Sequence, residues 1–461
     1  MLPQHDRRNS REVFIGNVPM GGNNPVRLQT MTKTDTRDVQ ATLKQCRQAL
    51  DAGADYIRIS VPDVASVKAF EKIKNKLAGD GYRSPLIADI HYRHDLAIMM
   101  AGIADKLRIN PANFGWPPES KKKQAKKSGK SEIPPGLLAE TLAPLAEACK
   151  KHGTAIRLGG NAGSVEHTNT LTKTRSAEFL VNQAVKYLDI LEELGFYDLV
   201  VSLKNSNPAE TTEATRLMHQ RMQQTGQHYP LHIGVTESGL GVSGRVSSAL
   251  GIIPLLREGI ADTIRVSLTE EPEKEIHFAQ KLLDVCRQNG DNVFEATCRD
   301  NMLYIISRTS DPDTLIAEAV QGFLTLPERN AIQHITIEAP GMANQQVVKE
   351  TAAQIMQQAD IKEVGTRFIS CPACARTSTD MEKLCRLFRK ELADYPGIHI
   401  AIMGCMVNGP GEMAGADYGV IATSNDKVNV YAEGVCIKRN ICGKEAISLI
   451  REILIEDDSG R

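Results

Sequence analysis

Residues 26–60 read VRLQTMTKTDTRDVQATLKQCRQALDAGADYIRIS, and this stretch decides the fold. Two short apolar runs, VRLQTM from Val26 and IRIS from Ile57, flank a segment at 39–52 whose apolar residues recur at helical spacing. A Gly-Ala-Asp sequence at 53–55 supplies the break before the second run. A strand, a helix and a second strand in this order predict a parallel β–α–β unit.

The same alternation continues to about residue 285 and gives eight strand-like runs. The other six are LIADIH from Leu86, KLRIN from Lys106, AIRLG from Ala155, LVVSLK from Leu199, LHIGVTE from Leu231 and TIRVSL from Thr263. Eight strand–helix repeats predict an α/β fold in which the sheet closes into a (β/α)8 TIM barrel. A doubly wound open sheet is the alternative, and it ranks lower because no Gly-rich dinucleotide fingerprint follows the first strand.

Two further units follow or interrupt this pattern. We expect a barrel domain over 1–289, a small inserted α/β subdomain over 290–362 with one strand (HITIEA) between two helices, and a C-terminal α+β domain over 363–461. Within the barrel, residues 116–136 carry six lysines between two Pro-Pro pairs. A solvated insertion is favoured there over an anion-binding arm.

Composition narrows the class of protein. The 461 residues carry a formal net charge of −1, which gives no general attraction to nucleic acid or to an acidic membrane. Hydrophobic residues make up 41% of the chain, as in ordinary globular proteins. The first residues are polar, without a secretory signal, and no apolar run is long enough to span a bilayer. These features predict a cytoplasmic protein with neither nucleic acid nor membrane as a partner.

Polar side chains gather at the ends of the predicted strands, which converge on one face of a barrel. They are Arg58, Ser60, Asp89, His91, Arg108, Asn110, Arg157, Asn161, Lys204, Glu237, Arg265 and Ser267. Five are cations with few acids beside them, so a small, multiply anionic ligand would satisfy them together. The pattern predicts a diphosphate-like substrate, with Asp89, His91 and Glu237 as candidates for proton transfer.

Three of the ten cysteines lie in Pro- or Gly-rich loops after predicted strands, in CPAC at 371–374 and MGCMVNGPGE at 403–412. Cys371 and Cys374 alone fit a redox dithiol, half a zinc site or part of a cluster site. The glycines around Cys405 allow the backbone to approach a bulky centre. With no fourth cysteine nearby, Glu412 is the candidate fourth ligand, and an oxygen ligand would leave one iron open to substrate.

The other seven cysteines are predicted to be structural. Five of them lie among helix-forming residues and are expected to be small buried hydrophobes: Cys46, Cys149, Cys286, Cys298 and Cys385. The last two, Cys436 and Cys442, flank a short predicted loop.

These motifs together resemble the 4-hydroxy-3-methylbut-2-enyl diphosphate synthase family of the methylerythritol phosphate pathway. The matching stretches are LIADIH, LRINPANFG, IRLGGNAGS, VSLK, GVTESG, DTIRVSL, FISCPACART and MGCMVNGPGE, in the family's order. The resemblance implies reductive ring opening and dehydration of 2-C-methyl-D-erythritol 2,4-cyclodiphosphate to (E)-4-hydroxy-3-methylbut-2-enyl diphosphate. It also implies a C-terminal domain, similar to those of sulfite and nitrite reductases, whose [4Fe-4S] cluster is held by Cys371, Cys374, Cys405 and Glu412.

The resemblance also implies roles and partners. Glu237 and Glu412 would be catalytic, and the substrate would be bound by Arg58, Asp89, His91, Arg108, Asn110, Arg157, Asn161, Lys204, Arg265 and Ser267. Electrons would come from reduced ferredoxin or flavodoxin, and in a homodimer the cluster domain of one subunit would cap the barrel of the other. The chain departs from the family's short bacterial pattern at 116–136 and at 290–362, where a longer class carries a larger insertion.

Two other functions fit parts of the pattern. A barrel with a structural zinc site would be a metal-independent phosphosugar lyase or transferase. A non-catalytic electron carrier or cluster-transfer protein is the other, and the strand-end cations speak against it.

Overall fold

The computed structural model describes residues 7–115, 133–162, 173–287, 294–327, 329–377, 379–406, 409–413, 415–423 and 426–459. Most of the lysine-rich insertion, at 116–132, lies outside these residues, as does the side chain of His91. In the described ranges, no helix is long and apolar enough to cross a membrane.

A short antiparallel hairpin precedes a barrel of parallel strands. The hairpin consists of β1 (Val13–Ile15) and β2 (Val18–Met20). The barrel strands are β3 (Arg27–Met31), β4 (Tyr56–Ser60), β5 (Leu86–His91), β6 (Lys106–Ile109), β7 (Ala155–Asn161), β8 (Leu199–Lys204), β9 (His232–Ile233) and β10 (Thr263–Ile264).

The sheet closes on itself. Strand β10 pairs with both β3 and β9, and a parallel bridge between Val201 and Leu231 joins β8 to the residue before β9. The predicted TIM barrel is therefore confirmed and the open sheet is excluded. The last two strands are only two residues long, shorter than their apolar runs predicted. After β9 the backbone leaves the extended conformation at Gly234 (φ 157°) and again at Glu237 (φ 54°).

Eight described helices surround the barrel. They are α1 (Val39–Asp51), α2 (Val64–Gly79), α3 (His94–Met100), α4 (Pro135–His152), α5 (Lys173–Glu193), α6 (Pro208–Thr225), α7 (Gly241–Arg257) and α8 (Pro272–Arg287). Side-chain caps begin several of them: the Asp38 carboxylate accepts from the Ala41 N–H, and the Asp63 carboxylate accepts from the Ser66 N–H. Gly153 ends α4 in the left-handed conformation.

The inserted residues form a three-stranded sheet with two helices. The elements are β11 (Phe294–Arg299), β12 (Met302–Ser307), α9 (Pro312–Thr325), β13 (His334–Glu338) and α10 (Gln345–Gln358). Strand β12 pairs antiparallel with β11 and parallel with β13. Helices α9 and α10 pack against α7, which is consequently buried along nearly its whole length. The strand and both helices predicted here are present, whereas the β11–β12 hairpin was not predicted.

The C-terminal residues form a five-stranded mixed sheet. Its strands, in spatial order, are β14 (Arg367–Ser370), β15 (His399–Met403), β16 (Tyr418–Ala422), β17 (Lys427–Ala432) and β18 (Val435–Cys442). Helices α11 (Met381–Leu392) and α13 (Gly443–Ser459) share an apolar core with it, and the one-turn helix α12 (Gly409–Glu412) follows β15.

Two predictions about the structural cysteines were wrong. Cys436 and Cys442 lie on β18 and do not flank a loop, because the turn at Glu433 and Gly434 folds residues 435–442 back onto β17. Cys298 is exposed on β11, although Cys46, Cys149, Cys286 and Cys385 are buried as predicted. Cys298 lies near the end of β11, where Thr297, Cys298 and Arg299 are all exposed.

Candidate active site

The interior of the barrel is polar along most of its height. On β4, Ile57 and Ile59 join the apolar core under the helices, so the alternating residues Tyr56, Arg58 and Ser60 face inward. The same alternation places these polar residues inside: Gln29, Arg58, Ser60, Asp89, Lys106, Arg108, Asn110, Arg157, Asn161, Lys204, His232, Arg265 and Ser267. A barrel core is usually filled by branched apolar side chains, so this interior is built for a polar ligand.

Arg157 is the most exceptional of these side chains. It is only 1% exposed, and its Nε and Nη1 atoms have no hydrogen-bond partner. Burial, together with the neighbouring guanidinium groups of Arg58 and Arg108, lowers the pKa of Arg157 well below its ordinary value. A buried, unpartnered guanidinium is costly. An anionic ligand above it would remove that cost.

Two acids partner other cations of the set. Asp89 lies 3.3 Å from Arg108 Nη1 and 3.9 Å from Arg58 Nη2. Glu275 receives two hydrogen bonds from Arg265, from Nη2 at 3.1 Å and from Nε at 3.2 Å. The charge of Arg265 is thus already balanced within the barrel, which the sequence did not predict. Arg157 and Lys204 are left as the cations best placed for a ligand.

Two glycines make room for the cations. A Cβ atom at Gly159 would lie 2.6 Å from Arg108 Nε, and Arg108 Nη2 donates to the Gly159 carbonyl at 2.7 Å. At Gly234 a Cβ atom would lie 2.9 Å from Lys204 Nζ. The backbone of β7 and of the segment after β9 therefore supports the cationic side chains directly.

Glu237, Glu412 and Asn161 meet at the mouth of the barrel. The Asn161 amide donates from Nδ2 to Glu412 Oε1 at 3.3 Å, and the buried Glu237 Oε2 atom has no hydrogen-bond partner. Burial, with the adjacent Glu412 charge, raises the pKa of Glu237 well above its ordinary value. Burial also raises the pKa of Glu412, although Asn161, Glu237 and Arg108 oppose the shift.

The three predicted cysteine ligands lie in the loops that follow β14 and β15, which are adjacent parallel strands. Gly404 donates its N–H to Cys371 Sγ at 3.1 Å, and Arg376 Nη1 lies 3.9 Å from Cys374 Sγ. A Cβ atom at Gly404 would lie 2.7 Å from Thr377 Oγ1 and 3.1 Å from Cys371 Sγ, so the backbone approaches these atoms more closely than a residue with a side chain would allow. Cys405 is half-buried and close enough to Cys371 and Glu237 to affect their pKa values.

The predicted donors are three thiols and one carboxylate, and thiolates are the usual ligands of iron–sulfur clusters. Among the residues that the structure describes, no three His, Cys, Asp or Glu side chains stand close enough to hold one metal ion. Burial and the Glu237 charge raise the pKa of Cys371 well above its ordinary value. A nearby metal centre would reverse that shift, since cations favour the thiolate.

Sequence reasoning missed three polar residues of this region. Lys106 and His232 lie deeper in the barrel than the strand-end residues and are fully buried. For Lys106 the signal was its two-residue spacing to Arg108 and Asn110, which places all three on one face of a strand. Arg376, from the loop after β14, lies 4.0 Å from Asp89 and was visible only as part of a family motif.

The C-terminal sheet lies on the barrel of its own chain. A parallel bridge links Ser238 to Ser370, and Thr269 Oγ1 donates to the Cys371 carbonyl at 3.2 Å. The resemblance implied that a second subunit supplies the cap. In this structure one chain brings the cysteine loops and the cation-lined barrel together, so a second copy is not needed for that contact.

Comparisons with known proteins agree with this geometry. The GcpE TIM-barrel domain matches residues 10–280, and the GcpE protein C-terminal domain matches residues 367–455. A Synechococcus protein named 4-hydroxy-3-methylbut-2-en-1-yl diphosphate synthase (ferredoxin) is 31% identical over 98% of this chain and 95% of its own length. An Akkermansia muciniphila protein with the same name but the qualifier (flavodoxin) is 30% identical over 98% of this chain and 97% of its own length.

A further relative, from Bacteroides fragilis, also carries the name ending in (flavodoxin) and is 29% identical over 98% of this chain and 96% of its own length. That alignment spans 602 positions, against 461 residues here, so the relative contains additional residues between the shared segments. Both family models together cover most of the chain, in the order that its motifs predict. The chain therefore belongs to the GcpE family, the 4-hydroxy-3-methylbut-2-en-1-yl diphosphate synthases.

Proposed function

We propose that this protein reductively opens and dehydrates 2-C-methyl-D-erythritol 2,4-cyclodiphosphate, yielding (E)-4-hydroxy-3-methylbut-2-enyl diphosphate for isoprenoid synthesis. The observation that carries the proposal is the buried, unpartnered guanidinium of Arg157 inside a barrel whose mouth is covered by three cysteine-bearing loop positions. Thr269 of the barrel donates a hydrogen bond to the Cys371 carbonyl, so a polyanion bound in the barrel and a redox centre held by the cysteine loops would lie close together.

The chain's own residues bind and orient the substrate. Arg157 and Lys204 neutralise the two phosphates, while Arg58 and Arg108 are held by Asp89 at the edge of the same space. Asn110 and Ser60 have buried polar atoms without partners, which suits them to the remaining substrate oxygens. Glu412 and the two loops that carry the cysteines cover the mouth of the barrel and exclude water from the binding site.

Cys371, Cys374, Cys405 and Glu412 are the residues that would hold a [4Fe-4S] cluster. When bound, the cluster supplies the electrons that break the ring C–O bond and remove the hydroxyl group. Burial and the adjacent Glu412 charge raise the pKa of Glu237, which favours its protonated form and suits it to protonate the departing oxygen. Reduced ferredoxin or flavodoxin, named for the relatives, is the inferred electron donor.

An anaerobic assay tests the proposal. The purified protein, reconstituted with iron and sulfide, is given the cyclodiphosphate and a strong reductant, and the product is measured by mass spectrometry. We expect turnover, and we expect Arg157→Met to lose roughly 1.5–3 kcal/mol of transition-state stabilisation, seen as a lower kcat/KM.

Arg216→Met is the matched control, because Arg216 forms an exposed ion pair with Glu258 on the outside of the barrel. It should keep wild-type kcat/KM. A colourless, zinc-containing protein without turnover would instead favour the structural-zinc alternative.

A further inference from the structure

Lys106 is a buried lysine at the floor of the barrel. It is 0% exposed, its Nζ atom has no hydrogen-bond partner, and that atom lies 4.8 Å from the centre of the Tyr56 ring. The hairpin β1–β2 closes the floor with Val13, Ile15 and Met20, which form one apolar cluster with Tyr56 and Ile87. Lys106 is the register partner of Ile87 and Ala155, two members of that cluster, so it lies in the same layer.

The charged and titratable groups around Lys106 offer it no counter-charge. Strand β4 contributes Arg58 and Tyr56, β7 contributes Arg157, and β9 contributes His232. The carboxylate of Asp89 lies one layer higher and is paired with Arg58 and Arg108. Burial, followed by the charges of Arg157 and Arg58, lowers the pKa of Lys106 well below its ordinary value.

Where several positive charges are buried together away from water, the group that loses its proton most easily becomes neutral, and this reduces the repulsion among them. Arginine stays charged in proteins, whereas a buried lysine loses its proton readily. Arg58 and Arg157 therefore keep their charge and Lys106 gives up its own. Burial keeps its effect on Lys106 when a ligand binds, but an anion that neutralises Arg157 from above removes the repulsion from that guanidinium and adds the attraction of its own negative charge.

We propose that Lys106 is a positioning residue that is neutral in the ligand-free protein and takes up one proton when a diphosphate binds at Arg157. The inference rests on the proposed function for its ligand. The proton leaves the solvent and bonds to the lone pair of Nζ, so the charge of the site rises by one as two anionic phosphates arrive. Lys106 then supports the guanidinium layer from beneath without contacting the substrate.

Proton uptake makes binding depend on pH in a defined direction. Below the pKa of Lys106 in the free protein, the lysine is protonated in both states, and above its pKa in the complex it is neutral in both. Between these values the Kd for the diphosphate rises by about tenfold for each pH unit. Lowering the pH within this window strengthens binding.

Isothermal titration calorimetry measures how many protons the protein takes up when the ligand binds. The cluster-loaded, full-length protein is titrated anaerobically, without reductant, with the cyclodiphosphate at pH 8 in buffers of different ionisation enthalpy. A cyclic diphosphate has only strongly acidic protons and is fully ionised at this pH, so the protons counted belong to the protein. We expect Lys106→Met to take up about one proton fewer than the wild type and to bind more weakly, with a flatter pH dependence of Kd.

Two further variants keep the inference testable. His232→Gln alters a titratable group at the same depth and should leave proton uptake unchanged. Lys106→Arg places a permanent charge there and should lower the uptake by about one proton as well. Wild-type uptake of zero, or equal uptake in the wild type and both Lys106 variants, would overturn the role of Lys106 but not the proposed function. Failure of the wild type to bind the cyclodiphosphate would overturn both.

Discussion

The guanidinium group of Arg108 packs against Gly159, which has no side chain. Gly159 leaves space for the Arg108 guanidinium and also accepts its Nη2 hydrogen bond. Asp89 holds the other side of the same guanidinium. The position of Arg108 therefore depends on a missing Cβ atom as much as on an ion pair.

Replacing Gly159 with alanine is expected to displace Arg108 and leave the fold intact, because Gly159 is not among the glycines with positive φ. Loss of one charge-assisted contact costs about 1.5–3 kcal/mol, so the Kd for the cyclodiphosphate should rise by at least about tenfold. Gly136→Ala is the control, since a Cβ atom there meets nothing within 4 Å. Equal affinity in the two variants would show that Arg108 does not bind the ligand.

The cysteines allow a second prediction at this scale. Replacing Cys371, Cys374 or Cys405 with serine should abolish most of the iron and sulfide retained after anaerobic reconstitution, because a serine oxygen is a poor substitute for a thiolate on iron. Cys436→Ser and Cys442→Ser should retain a full complement, since both residues lie on β18. A full cluster in Cys405→Ser, with loss in Cys436→Ser, would overturn the ligand set.

Polar residues inside the barrel could be predicted where they lie at the end of a strand, but they were missed where they lie at its start. The positions of Arg58, Arg108 and Arg157 inside the barrel could be predicted because strand ends converge in a barrel; their role in binding stays a prediction. Lys106 and His232 were missed because they lie at the start of short strands, where a polar residue normally marks a turn. The pairing of Arg265 with Glu275 joins a strand to the helix that follows it, and spacing alone does not fix the helix orientation that permits this contact.

Among the secondary-structure elements, the parallel strands were easier to predict than the antiparallel edges. Parallel strands are buried on both faces and so read as continuous apolar runs. Strand β18 has the sequence VCIKRNIC and is largely exposed, with an edge open to solvent. Such a strand carries no strong periodic signal, since only one face is covered by α13 and its pairing depends on the tight turn before it.

Helix α7 is tied to two other elements by Arg245. This side chain donates to Glu270, from Nη1 at 2.6 Å and from Nη2 at 3.1 Å, and to Asp313 at 2.6 Å in the first turn of α9. Burial alone would raise the pKa of Glu270, but the bonds from Arg245 outweigh it and lower that pKa below its ordinary value. The stabilisation is thus present at neutral pH and is lost as the pH falls through the lowered pKa.

Removing Arg245 should loosen the inserted subdomain from the barrel. Arg245→Met leaves two acids without their partner, and breaking a buried pair costs about 3–5 kcal/mol. The urea midpoint, followed by circular dichroism, should fall clearly. Arg216→Met removes an equally well-formed but exposed pair with Glu258, which should cost about 0–1 kcal/mol. Equal midpoints for the two variants would show that burial does not strengthen the α7–α9 connection.

At the scale of the whole molecule, residues far apart in sequence complete one site. Asn161 of the barrel contacts Glu412, and Asp89 lies 4.0 Å from Arg376. The segment from α8 to β14, which contains the inserted sheet, spans the distance between the barrel and the C-terminal unit. Helices α9 and α10 of this segment pack against α7, and Arg367 at the start of β14 forms an ion pair with Asp360 just after α10, so the segment connects the barrel to the strand that precedes the first cysteine loop.

A site completed within one chain makes a prediction about mixed subunits. Arg157→Met disables the barrel half of the site and Cys405→Ser disables the cluster half, so each variant alone should be nearly inactive. If the two proteins form dimers whose sites are shared, half of a random mixture is mixed dimers with one intact site of two, which restores about a quarter of wild-type activity. Because Glu412, Cys371 and Arg376 all contact the barrel of their own chain, we expect co-expression of the two variants to restore none. Recovery near a quarter would show that the cap exchanges between subunits and that the contacts within one chain are not the catalytic arrangement.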